Sequence, residues 1–261
     1  MIPVISLFSG AGGLDLGGRE AGPYRIAVAT DSDEPALRTL GANHTGTPTV
    51  TGDIRALSTT TLLDAAGLDV GDAGLVIGGP PCTPFSKSGF WRKEKVESRD
   101  PNASLLDEYV RVVGESRPAG FVLENVQALT YKNHAAQFAR LLNGLRDAGY
   151  SVDHRVLMAA DHGVPQLRRR TFVVGRRDGG PIRFPEPTHA GWSERDRKVD
   201  KSLPGYVTAK DSIGDLLPGE PEAGEVATGT WGEHLAEVPP GENYLWHTER
   251  GGGRDEWEWR S

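Results

Sequence analysis

Six short, mostly apolar runs separated by amphipathic stretches constrain the fold of this chain more than any other feature. The strand-like runs are Val4–Phe8, Tyr24–Thr30, Gly74–Ile77, Gly120–Leu123, Ser151–Met158 and Thr171–Gly175. Helical periodicity appears at Leu14–Ala21, Glu34–Asn43, Ser104–Ser116 and Ala135–Ala148. Runs this short, bounded by turn residues, read as buried strands. Strands alternating with helices predict βαβ units, hence an α/β fold with a mostly parallel sheet, helices on both faces and right-handed crossovers. After about Asp178 the alternation ends, and prolines, glycines and acids take over. Only Asp211–Leu217 reads as a short helix there. The expected division is therefore an α/β domain over 1–178 and an irregular acidic segment over 179–261. A length of 261 residues accommodates one large α/β domain or one domain with a partial second.

The only cysteine is Cys82, in Gly78-Gly79-Pro80-Pro81-Cys82-Thr83-Pro84-Phe85-Ser86. A lone cysteine is ordinarily a small buried hydrophobe. Here three prolines and two glycines exclude a helix interior or a central strand. The thiol is expected on a stiff turn just past a strand's carboxyl end, the edge where open α/β sheets bind ligands. That placement suits a nucleophile, which acts as the thiolate. One cysteine also excludes an internal disulfide and a cysteine-based metal cluster, and no two of the seven histidines have ligand spacing. No apolar run approaches the ~20 residues of a membrane span, and Met1–Ile5 lacks the basic start of a signal peptide. A cytoplasmic protein that needs neither metal nor membrane is the expectation.

Further motifs accompany the other predicted strands. Phe8-Ser9-Gly10-Ala11-Gly12-Gly13 follows the first strand, and a helix starts at Leu14. Its glycines allow a tight turn and close backbone approach, and a helix N-terminus offers free N–H groups. Asp31 closes the second strand, 21 residues after Gly10, an offset suited to ribose hydroxyls. Asp53, in Thr51-Gly52-Asp53-Ile54, is a second acid that could take an exocyclic amino group. Together these describe a nucleoside pocket. Glu124 ends the apolar run Phe121–Leu123; burial there would favour its protonated form, the one a general acid needs. The arginines of Val164-Pro165-Gln166-Leu167-Arg168-Arg169-Arg170 can fork onto a base, a phosphate or the Glu124 carboxylate.

The set F-S-G-A-G-G, G-G-P-P-C-T-P-F-S, E-N-V and P-Q-L-R-R-R, in this order, resembles the cytosine-C5 DNA methyltransferases over about residues 3–177. The resemblance implies a Rossmann-like methyltransferase sheet, S-adenosyl-L-methionine as cofactor, double-stranded DNA as partner and a cytosine flipped from the duplex. It implies cofactor contacts from Phe8, Ser9, Gly10, Ala11, Gly12, Gly13, Asp31, Ser32, Asp53, Ile54, Pro80 and Leu105. Cys82 would be the nucleophile and Glu124 the acid, with Arg168 and Arg170 supporting the target base. Ser86, Lys87, Arg92 and Gln166 would meet DNA, and Lys87 to Arg99 would form a loop closing over it. Ser32 stands where many members carry an aromatic residue, which implies weaker stacking on adenine. A tRNA cytosine methyltransferase of the same fold is the alternative substrate reading.

The net charge of −7 is uneven. Residues 211–261 hold 12 acids and 3 bases, whereas residues 1–210 hold 24 acids and 26 bases, a balance of only +2. Affinity for duplex DNA grows with the number of neutralised phosphates. The later family motifs are not found, and 211–261 resembles the start of a target-recognition region, with Trp246, Trp257 and Trp259 reading as packing. The expectation is that a second chain, or further length of this one, supplies the basic recognition domain and the last motifs.

Overall fold

The computed structural model describes residues 1–81, 104–190, 202–216 and 232–238. Its first unit spans Met1–Thr208 and is built on one sheet. The strands are β1 (Ile2–Leu7), β2 (Tyr24–Asp31), β3 (Thr49–Thr51), β4 (Leu75–Gly78), β5 (Gly120–Val126), β6 (Ser151–Met158) and β7 (Arg169–Arg176). Their order is β3-β2-β1-β4-β5-β7-β6. Neighbours from β3 to β5 run parallel, and β7 runs antiparallel between β5 and β6. The helices are α1 (Gly13–Ala21), α2 (Glu34–Asn43), α3 (Thr59–Ala66), α4 (Ser104–Ser116) and α5 (Ala135–Asp147).

Alternate residues of each strand point to opposite faces, and both faces are covered. Ile5, Leu7, Val28, Val76, Phe121 and Leu123 pack with Leu62, Tyr109, Val112 and Leu141 from α3, α4 and α5. Val4, Ile26, Ala29 and Ile77 pack with Leu37 and Leu40 of α2 and with Leu14. Local chemistry sets the helix starts. The Asp33 side chain accepts from the Ala36 N–H, with Pro35 in the first turn of α2, and the Ser58 side chain accepts from Thr61 N–H at the start of α3. Such caps satisfy donors that a helix end leaves free.

The predicted strands and helices recur with shifted ends, and β3 and α3 are additions. β3 has three residues, none fully buried, so it lacks a hydrophobic alternation to read. α3 opens on Thr59-Thr60-Thr61, residues of low helix propensity, and owes its position to Leu62 and Leu63 in the core.

The segment after β7 folds back onto the same unit. Thr188 and His189 backbone N–H groups donate to the Asp161 carbonyl, the Tyr206 hydroxyl donates to the Asp161 carboxylate, and Ala190 N–H donates to Pro204. A second unit spans Ala209–Ser261. Its described residues form the one-turn helix α6 (Ala209–Ile213) and a short 3-10 turn over Gly232–Glu237.

Candidate active site

The carboxyl ends of β1, β2, β3 and β4 open onto a cleft of about 230 Å³. Phe8, Thr30, Asp31, Ser32, Gly52, Asp53, Ile54, Arg55, Gly79, Pro81 and Leu105 line it. Of the residues expected to hold a cofactor, Phe8, Asp31, Ser32, Asp53, Ile54 and Leu105 are among these. Ser9 turns inward instead: its hydroxyl is within hydrogen-bond distance of the Ser6 carbonyl and hydroxyl and of the Thr30 carbonyl. Pro80 is buried between two lining residues. Gly10, Ala11, Gly12 and Gly13 form the turn from β1 into α1, next to Phe8.

That turn is held in an uncommon conformation. Phe8 has φ +54°, Gly10 +52° and Gly12 +90°. Left-handed backbone strains a bulky residue such as Phe8 and recurs at ligand sites. A Cβ on Gly12 would stand 2.8 Å from His44 Nε2, so this position also needs glycine for space. Asp31 pins the turn: its Oδ2 accepts from Gly10 N–H at 2.8 Å and its Oδ1 from Asp33 N–H at 2.9 Å. Beneath the turn, Asp15 of α1 is fully buried, and neither carboxylate oxygen has a well-formed hydrogen bond. Burial pushes its carboxyl above the ordinary value, with the nearby Ser6 hydroxyl opposing only in part.

Asp53 makes a fork-to-fork pair with Arg55. Arg55 Nε donates to Oδ1 at 2.9 Å and to Oδ2 at 3.0 Å, and Nη2 donates to Oδ2 at 2.5 Å. These hydrogen bonds hold the Asp53 carboxyl below the usual carboxylate range. The Arg55 backbone N–H also donates to Oδ1, at 3.0 Å, so each of the about four lone-pair positions of the carboxylate faces Arg55, and a ligand in the cleft would share or displace one of these bonds.

At the end of β5, Glu124 Oε1 accepts from Arg170 Nε at 2.8 Å. The sheet register produces this pair. Arg170 of β7 lies opposite Val126, and Glu124 lies opposite Phe172, which makes Glu124 and Arg170 diagonal neighbours on one face. A Cβ on Gly79 would stand 3.3 Å from Glu124 Oε2, so the Gly79-Pro80 segment passes directly beside this carboxylate. Asn125, 2% exposed, ties the two together: its Nδ2 donates to the Pro80 carbonyl at 3.1 Å. Arg168 and Gln166 are exposed on the turn before β7. Cys82, Ser86, Lys87, Arg92, the stretch from Lys87 to Arg99, and Trp246, Trp257 and Trp259 lie outside the described residues. Among the described residues, no group of three or more His, Cys, Asp or Glu could hold a metal ion, and no helix is long and apolar enough to cross a membrane.

Sequence reasoning did not single out Arg55, Gly79 or Pro81 as lining residues, nor Asn125 as a tether. Arg55 carried a local signal, a cation two residues from the acid it engages. Asn125 stands in the E-N-V motif, but its partner, 45 residues away, carried no local signal.

The family described as C-5 cytosine-specific DNA methylase matches residues 2–246. The type II methyltransferase M.SacI of Streptomyces achromogenes is 60% identical over 271 aligned residues, covering 100% of this chain and 69% of that protein. M.AquIA of a Picosynechococcus species, also a type II methyltransferase, is 41% identical over 229 residues, covering 84% of this chain and 90% of that protein. Among solved structures, the Dnmt2 methyltransferase of S. pombe superposes with a TM-score of 0.60 at 21% identity, covering 91% of this chain and 67% of that one. That likeness concerns the fold.

Proposed function

Because this chain belongs to the C-5 cytosine-specific DNA methylases and is a DNA cytosine-5 methyltransferase, we propose that it methylates a flipped cytosine from S-adenosyl-L-methionine through a covalent adduct with Cys82. The observation that carries this reading is the Glu124–Arg170 pair beside the Gly79-Pro80 segment, which ends two residues before Cys82 in the sequence.

The cleft's chemistry fits the donor. Asp31 offers acceptors for ribose hydroxyls, Asp53 for an exocyclic amino group, and Phe8, Ile54 and Leu105 offer apolar walls for a purine. The Phe8–Gly13 turn would receive the amino-acid arm. Bound there, S-adenosyl-L-methionine supplies an electrophilic methyl group for C5. The Cys82 thiolate forms a bond to C6 of the cytosine, and the C5–C6 electron pair shifts toward C5. Glu124 delivers a proton to N3, so negative charge does not build up on the ring. Arg170 holds Oε1 of Glu124 and leaves Oε2, on the Gly79 side, for that transfer. After C5 is methylated, a water molecule takes its proton, the sulfur of Cys82 departs as thiolate, the C5–C6 double bond re-forms and the N3 proton returns to Glu124.

The substrate is proposed to be duplex DNA in the cytoplasm, within a restriction-modification system. Gln166, Ser86, Lys87 and Arg92 are the proposed DNA contacts, and Arg168 is proposed to support the target base. A balance of +2 over residues 1–210 supports the further proposal that a basic recognition segment on another polypeptide or further chain assists, because duplex affinity depends on neutralised phosphates. The test is methyl transfer to duplex DNA and to tRNA, with and without such a segment, together with trapping on 5-fluorocytosine DNA. Wild type should form the covalent complex and Cys82→Ser should not. Turnover by Cys82→Ser would overturn the covalent mechanism, and transfer to tRNA alone would overturn the substrate.

A further inference from the structure

A guanidinium has five N–H donors in one rigid plane and no acceptor. On α4, Arg111 has an acceptor for each of the five. Its Nε donates to Glu108 Oε2 at 2.6 Å. Its Nη1 donates to Glu115 Oε2 at 3.1 Å and to Thr59 Oγ1 at 3.2 Å. Its Nη2 donates to the carbonyls of Ile54 and Leu57, at 2.9 and 3.0 Å. Glu108 and Glu115 lie one turn away on the same helix and orient the fork. Of the other three acceptors, the Ile54 and Leu57 carbonyls belong to the segment between β3 and α3, and the Thr59 hydroxyl opens α3. The Thr59 hydroxyl in turn donates to Glu115, which closes the cluster.

That segment is one wall of the cleft. The N–H groups of Ala56 and Leu57 donate to the Asp53 carbonyl, at 2.8 and 3.2 Å, and close the turn. Asp53, Ile54 and Arg55 line the cleft from it, and α4 contributes Leu105. Arg111 is not a lining residue. It spans from the helix that carries Leu105 to the backbone that carries Asp53 and Ile54.

We propose that Arg111 is the positioning residue for the adenine side of the cofactor cleft: by gripping the Ile54 and Leu57 carbonyls it sets the distance between the Asp53–Ile54 wall and Leu105. This rests on the reading of the cleft as the S-adenosyl-L-methionine site. An exposed ion pair contributes little, and charge attraction alone does not account for the geometry, because three of the five bonds reach outside the glutamates. Lysine keeps the charge but, as a compact ammonium, cannot reproduce the planar fork.

The experiment uses the full chain with Arg111→Lys, Arg111→Gln and, as a stability control outside the clamp, Tyr150→Phe, which removes the buried bond from its hydroxyl to the Pro118 carbonyl. Titration calorimetry gives Kd for S-adenosylhomocysteine and for 5′-methylthioadenosine, which lacks the amino-acid arm, and calorimetric scanning gives Tm without ligand. Kd for both compounds should rise by about tenfold in Arg111→Lys, by more in Arg111→Gln and by under about twofold in Tyr150→Phe, tenfold being about 1.4 kcal/mol. Tyr150→Phe should nonetheless lower Tm, separating fold stability from the shape of the cleft. Unchanged Kd in a folded Arg111→Lys would overturn the proposal. So would a loss confined to S-adenosylhomocysteine, since that would put the effect on the amino-acid arm. Wild-type protein that binds neither compound would overturn the cleft assignment itself, and this proposal with it.

Discussion

Replacing Asp31 by alanine removes two backbone anchors and, on the reading above, the ribose acceptor. The anchors differ in weight. The Asp33 N–H is exposed, so water takes over its bond, whereas the Gly10 N–H is partly buried and holds the strained Phe8–Gly12 turn. A hydrogen bond to a charged group contributes about 1.5–3 kcal/mol, and partial exposure lowers the expected loss of stability to about 1–2 kcal/mol. For a chain of this size that lowers Tm by roughly 2–6 °C. Binding should suffer more. Losing charge-assisted acceptance of the ribose diol removes about 3 kcal/mol, so Kd for S-adenosylhomocysteine should rise about 10²-fold. Asp31→Asn separates the two roles. Its amide oxygen can keep one backbone bond while its NH₂ faces the other N–H, so Tm should recover part of the loss and Kd should rise about tenfold. Isothermal titration calorimetry and scanning calorimetry on the same preparations are the assays. A Kd for Asp31→Ala within about threefold of wild type, against the 10²-fold expected, would move the ribose site elsewhere. An unchanged Tm would show that the Gly10 tether contributes nothing.

Glu124→Gln keeps an acceptor for Arg170 and loses the proton donor; turnover should fall by roughly 10²–10⁴ with DNA binding intact, and unchanged turnover would make Glu124 structural. Asn125→Ala leaves the Pro80 carbonyl without its buried donor. It should destabilise by about 1–3 kcal/mol and slow methyl transfer by about 10²-fold, the effect of a small misplacement at a reacting group; normal turnover at full occupancy would refute a role in placing the Gly79-Pro80 segment. Asp15→Asn tests the buried carboxyl under the glycine turn. Because burial raises the folded-state pKa, the folded chain holds a proton that the unfolded chain releases above about pH 3.9. That contribution is complete below the unfolded value and is lost as pH rises through the folded one. The Tm advantage of Asp15→Asn over wild type should therefore be small at pH 4 and grow toward pH 7; an advantage independent of pH would show that Asp15 does not titrate as described.

Local chemistry was legible wherever a few neighbouring residues decide the outcome. The strand–helix alternation, the glycine turn after β1 and the strand-end acid Asp31 follow from side-chain period and glycine's backbone freedom. Each acts over a handful of residues, so the chain declares them without its fold. Those features also carry the family resemblance, which is why the fold class was readable from them.

Contacts across the sequence were decided only by tertiary structure. From the sequence alone, the arginines before β7 had three possible targets: a base, a phosphate or Glu124. Insertion of β7 antiparallel between β5 and β6 selected Glu124 for Arg170, through a register that no local pattern encodes. Likewise Arg111 reads in the sequence as an ordinary helix-surface cation between two glutamates, and Asn125 as a polar residue at a strand end. Only packing of α4 against the β3–α3 turn turns Arg111 into a five-bond clamp, and only the parallel pairing of β4 with β5 brings the Pro80 carbonyl to Asn125. Period and propensity are properties of neighbours along the chain; the partner of a polar group is settled by which strands and helices lie side by side.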